Sequence, residues 1–118
     1  MSRVLVDDAG TASLEDLPLD ATAVVDGAPT TAYAPFWTGR GTEVGLWEMT
    51  EGTVTDVEED EVFVVLSGTG TLVLGDGTSL PLRPGVAVHL SRGERTTWTI
   101  TSPLRKVYVQ VGVGGPDQ

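Results

Sequence analysis

The chain has 118 residues, no cysteine, and a net charge of −10 from 17 acidic and 7 basic residues. That length suits one domain with a real core, and the missing thiols exclude disulfides, thiolate metal sites and cysteine nucleophiles. The acidic balance argues against nucleic acid and anionic membrane surfaces as partners, because both need clustered Lys and Arg.

Residues 1–6 alternate loosely and are read as a possible edge strand. They lack the apolar region of a signal peptide, and no apolar run in the chain approaches the roughly 18–20 residues of a membrane span, so the default location is the cytoplasm. Asp7 to Pro29 is rich in Asp, Ala, Gly and Pro and reads as an irregular arm with one short turn after Ser13, giving an N-terminal arm over 1–30. No segment carries a sustained helical period, and there is no internal repeat. From Thr31 the pattern changes to short strands divided by turn residues. Strands are predicted at 31–36, 43–49, 53–57, 61–67, 70–74, 78–82, 86–90, 95–101 and 105–112. Thr, Val, Leu, Trp and Tyr dominate them, which suits half-buried pleated surfaces. Gly75-Asp76-Gly77 reads as a tight hairpin, and Glu51-Gly52, Arg83-Pro84-Gly85 and Ser91-Arg92-Gly93 close others. The expectation is an all-β, single-domain antiparallel barrel over 31–112, with a flexible tail at 113–118.

Within the strand at 61–67, Glu61 alternates onto the same face as Phe63 and Val65, which points it into the barrel. The stretch from Val62 to Leu66 is apolar on both faces, so a second layer is expected on the outside. The arm or a partner copy could supply it, and this is the physical reason to expect a homodimer.

Two blocks of sequence carry a family resemblance. The first runs from Gly52 through Glu61 to Gly68, and the second from Pro84-Gly85 through Ser91 and Gly93 to Thr96 and Trp98. Together they resemble the paired motifs of the cupin superfamily. Gly45-Leu46-Trp47-Glu48 and the ending Trp98 … Arg105-Lys106-Val107-Tyr108-Val109 resemble the small single-domain branch of ureidoglycine aminohydrolase-like and EutQ-like cupins. The resemblance spans about residues 43–110 and implies the RmlC-like antiparallel β-barrel, or jelly roll. Fold alone does not carry function, since this architecture hosts many chemistries.

The departures from the family pattern are informative. The first-motif histidines of the family fall at Thr55 and Val57, and the second-motif histidine falls at Thr96; Glu61 alone is kept. The shifted ligand set of the aminohydrolases, with Glu, two His and Gln, is absent too. A transition-metal site needs several N or O donors converging on one point. The expectation is therefore no metal and no cofactor at the usual site.

Glu61 is then a candidate general acid/base or anchor for a cationic ligand group; the alternative is a remnant carboxylate held by a hydrogen bond. Thr55, Val57, Phe63, Thr96, Trp98, Trp47 and Tyr108 are the candidate ligand-binding residues, with plain core packing as the alternative for the aromatics. Asp56, Glu58, Glu59 and Asp60 read as a solvated charge run. His89 is the sole histidine, a possible general base or a surface or hydrogen-bonded structural residue. No Ser/His/Asp spacing and no phosphate-cradling glycine loop is present. Three functions are weighed: a metal-independent isomerase, cyclase or lyase with a small-molecule pocket and Glu61 as base; a non-catalytic binding or accessory protein; and an aminohydrolase-like enzyme holding a metal through Glu48 and Glu61.

Overall fold

The computed structural model describes residues 3–112. Nine strands form among them: β1 Glu15–Asp16, β2 Val24–Asp26, β3 Thr31–Gly39, β4 Thr42–Met49, β5 Gly52–Val57, β6 Asp60–Leu74, β7 Ser79–Leu82, β8 Ala87–Leu90 and β9 Arg95–Val111. All the pairings are antiparallel. The chain is all-β, as its patterning predicts, with one 3₁₀ turn at Ala21–Ala23 capped by the Asp20 carboxylate.

β6 and β9 set the architecture. They are 15 and 17 residues long and pair from Asp60↔Val111 to Leu74↔Thr96. Each was expected as two shorter strands. The register slips between Val65 and Gly70, where both strands bend. Gly68 stands at that bend with φ +87°, and a Cβ there would run into the Pro103 carbonyl. Only glycine suits such a left-handed, crowded position.

The bend divides the sheet into two faces of a jelly roll. The first half of β6 and the second half of β9 join β8, β4, β3 and β1. The other halves join β7, β5 and β2. The core lies between these faces: Phe63 from one meets Trp98 from the other, with ring centroids 5.5 Å apart. Met49, Leu72, Leu90 and Leu104 pack around them, fully buried.

The arm differs from its sequence reading. Residues 3–6 form no strand, and residues 1–2 lie outside the described residues. The segment read as irregular contributes β1, paired with β3 at Glu15↔Tyr33, and β2, paired with β5 at Val24↔Val54. Two- and three-residue strands lack the length for a periodic signal. Arg105 holds the arm to the outer face: its Nη1 donates to the carbonyls of Ala9 and Ala12, both at 2.9 Å, and its Nε to Glu48 Oε1 at 2.9 Å. The arm leaves the outer side of β6 open, where Val62 is 48% exposed beside Val109. No helix among the described residues is long and apolar enough to cross a membrane. The expected flexible tail at 113–118 lies outside the described residues.

Candidate functional site

A cavity of about 440 Å³ opens between the arm and the inner face of the barrel. Alternation along β9 turns Leu104, Lys106, Tyr108 and Gln110 inward, while β4 contributes Trp47 and β6 contributes Glu61. The β5 end and the turn after it supply Thr55, Asp56, Val57, Glu58 and Glu59, and the arm closes one side with Leu17, Leu19 and Asp20.

The floor is a buried ion pair. Lys106 Nζ stands 2.5 Å from Glu61 Oε2, and Gln110 Nε2 donates to Glu61 Oε1 at 3.0 Å. The ammonium also lies over three rings, 4.3 Å from the centroid of Phe63, 4.6 Å from Trp98 and 4.7 Å from Trp47. Opposite charge and the negative ring faces together offset the desolvation that two buried ions incur.

The wall carries a second buried carboxylate. Glu58 follows β5, and its backbone is fixed by Glu58 N–H to Glu94 O at 2.9 Å and Gly93 N–H to Glu58 O at 2.8 Å. Its side chain turns inward and is 5% exposed. Thr96 Oγ1 donates to Glu58 Oε2 at 2.6 Å and Trp98 Nε1 to the same oxygen at 3.1 Å. Burial raises the proton affinity of Glu58, and the Thr96 and Trp98 donors oppose that only in part. Asp56 is displaced upward too by partial burial of its carboxyl, although the residue as a whole is exposed. Across the cavity, Tyr108 donates its phenol proton to Glu43 Oε2 at 2.7 Å; burial and that bond hold the phenol protonated.

Of the residues expected at the site, Trp47, Thr55, Val57, Glu61, Trp98 and Tyr108 line the cavity. Phe63 does not: it is fully buried beneath the Lys106 ammonium. Thr96 acts at one remove, through its bond to Glu58. His89 sits exposed on β8 opposite Val62, away from the cavity. The solvated charge run needs correction, because Glu58 is buried within it; the turn after Val57 breaks the alternation from which its direction would be read. Lys106 was missed altogether, although its place between the inward Leu104 and Tyr108 is a signal the alternation contains.

The donor set does not fit the metal centre of the wider fold family. Thr55 Oγ1 is directed to the Ala23 carbonyl, Val57 has no donor, and the Thr96 hydroxyl is engaged by Glu58. Both Glu61 oxygens are taken, one of them by an ammonium that repels a metal ion placed on the same carboxylate. Among the described residues no cluster of three or more His, Cys, Asp or Glu is arranged to hold a metal. Glu48 cannot join Glu61, since it lies on the outer face against Arg105.

The model of the EutQ-like cupin domain family matches residues 38–108. EutQ of Clostridium difficile is 20% identical, with a TM-score of 0.65, over 74% of this chain and 66% of that one. A protein of unknown function of the DUF861 family from Pseudomonas syringae pv. tomato is 24% identical, with a TM-score of 0.73, over 83% of this chain and 44% of that one. A structure named for ethanolamine utilization protein Q of Salmonella typhimurium is 15% identical, with a TM-score of 0.66, over 86% and 96%. This chain thus spans under half of the Pseudomonas protein and about two thirds of the Clostridium EutQ. No curated protein matches it in sequence. At these identities the structural likeness shows the fold alone.

Proposed function

The chain belongs to the EutQ-like cupin family, and from that footing we propose that its cavity binds a small organic molecule and moves a proton on it without a resident metal ion. The observation that carries this reading is Glu58, a buried carboxyl on the cavity wall with raised proton affinity and two fixed donors on one oxygen. Perturbed carboxyls in clefts are suited to general acid–base work near neutral pH. Isomerisation, cyclisation and elimination are the reaction classes that need no more than this. Glu61 has both oxygens engaged, so its part is to fix the Lys106 ammonium, and the acid/base role passes to Glu58.

Two measurements test the reading. Carboxyl NMR of glutamate-labelled protein should show Glu58 titrating above the ordinary glutamate range, and purified protein should carry far less than one equivalent of Mn, Fe, Ni or Zn. A Glu58 that titrates with the surface glutamates, or a stoichiometric metal lost in Glu61→Gln, overturns it. Binding without turnover is the second reading, favoured by a floor in which Lys106 and Glu61 already satisfy each other.

A cytoplasmic setting belongs to the same proposal, as does a homodimer. Val62, Val109 and Val111 form an exposed apolar strip on adjacent strands, which a second copy would cover. Sedimentation should then show a dimer that Val62→Glu with Val109→Glu converts to monomer; a monomeric wild type excludes it.

A further inference from the structure

The cavity is charged in one sense. Among the described residues, six carboxylates line it, Asp20, Glu43, Asp56, Glu58, Glu59 and Glu61, against the single ammonium of Lys106. Glu61 is matched by that ammonium and Glu43 by the Tyr108 phenol. Glu58 receives only neutral donors. Glu59 has Arg92 at 4.0 Å, a loose contact between two exposed side chains. The mouth therefore keeps unneutralised negative charge, which focuses a field that draws cations and turns anions away.

The walls are suited to the same charge. Trp47 and Trp98 line the cavity and stand 5.3 Å apart, centroid to centroid. The chain's own ammonium already rests over both indoles and Trp98 is 2% exposed, so the aromatic surface left to an incoming group is that of the partly exposed Trp47. Among the described residues that line the cavity Lys106 is the one basic group, and Glu61 holds it.

Resting on the reading of this cavity as a small-molecule site, we infer that its occupant is an organic cation, an amine or quaternary ammonium compound small enough for about 440 Å³. The cationic group sits at the acidic mouth beside the partly exposed Trp47, away from the Lys106 ammonium at the floor. Its arrival favours the ionised carboxylates, so binding releases protons.

The test titrates the full chain at low salt with four probes: choline chloride, its uncharged isostere 3,3-dimethylbutan-1-ol, n-butylammonium chloride and sodium butyrate. The Trp47 and Trp98 indole N–H resonances report binding. Expected are saturable shifts with at least one ammonium probe, binding at least about tenfold weaker for the uncharged isostere, no saturation with butyrate, and proton release in calorimetry across buffers. Asp56→Asn with Glu59→Gln, both at the rim, should weaken the cation severalfold. Saturation by butyrate, or equal binding of choline and its isostere, overturns the cation inference and leaves the small-molecule cavity standing. Silence from all four probes overturns both.

Discussion

Lys106 and Glu61 meet on the inner face of the paired strands β9 and β6, Nζ to Oε2 at 2.5 Å, where the two residues are 4% and 3% exposed. Removing one partner strands the other charge in a dry site, which costs about 3–5 kcal/mol. Lys106→Met should lose that much in urea unfolding. Lys106→Met with Glu61→Leu should regain most of it, because an apolar pair leaves no orphan charge. A double variant no more stable than the single would show that the pair does not act as a unit.

Glu58 gives a pH dependence of defined sign. Burial makes the folded protein bind its proton more tightly than the unfolded chain, whose glutamates titrate near 4.3. Such a group stabilises fully below that value, and the stabilisation fades as pH rises through the raised folded value. Glu58→Gln does not titrate, so its melting temperature relative to wild type should climb as pH rises from about 4 to about 8. A difference that stays flat across the range would mean that Glu58 ionises as easily folded as unfolded.

One guanidinium ties residues 9–12 of the arm to the outer face. Arg105 spans Glu48 and the carbonyls of Ala9 and Ala12, a fork that a lysine ammonium cannot reproduce. Arg105→Lys should destabilise by about 1–3 kcal/mol and speed proteolysis within residues 7–16. Unchanged cleavage would show that the β1 pairing and the Leu17–Thr31 bonds secure this part of the arm without Arg105.

Two glycines with similar φ should respond differently to alanine. Gly77 has φ +90° with open space around its Cβ direction, so Gly77→Ala carries only the backbone penalty of about 1–2 kcal/mol. Gly68 has φ +87° and meets the Pro103 carbonyl and Leu104 backbone as well. Gly68→Ala should exceed about 3 kcal/mol or fail to fold, as judged by circular dichroism and urea midpoints. Equal losses would remove the bend from its place in the fold.

The strands were legible because each carries a period of two bounded by turn residues, and the inward series Glu61, Phe63, Val65 was readable for the same reason. The continuity of β6 and β9 was not: Gly68 and the Ser102-Pro103 step look like strand ends, yet they are corners the same strands turn. At the site, alternation placed Glu61, Trp98 and Tyr108. It failed at Glu58, whose direction is set by backbone bonds to Glu94 and Gly93 far along the chain. Lys106 carries no composition signal of burial beside Arg105; only the inward direction of its neighbours Leu104 and Tyr108 marks it. The partner relation of Lys106 and Glu61 spans 45 positions, and no local pattern announces it.

β9 has a consequence for how the chain is made. Without it, the remaining pairings fall into three separate pieces: β1 with β3 and β4, β2 with β5, and β6 with β7 and β8. β9 alone joins them, and it also brings Lys106 to Glu61. Until β9 is made, core side chains that meet it, such as Phe63 against Trp98, lack that partner. A chain that stops before Arg95 lacks every pairing between these three pieces, and with those faces uncovered it should aggregate more readily than the full chain.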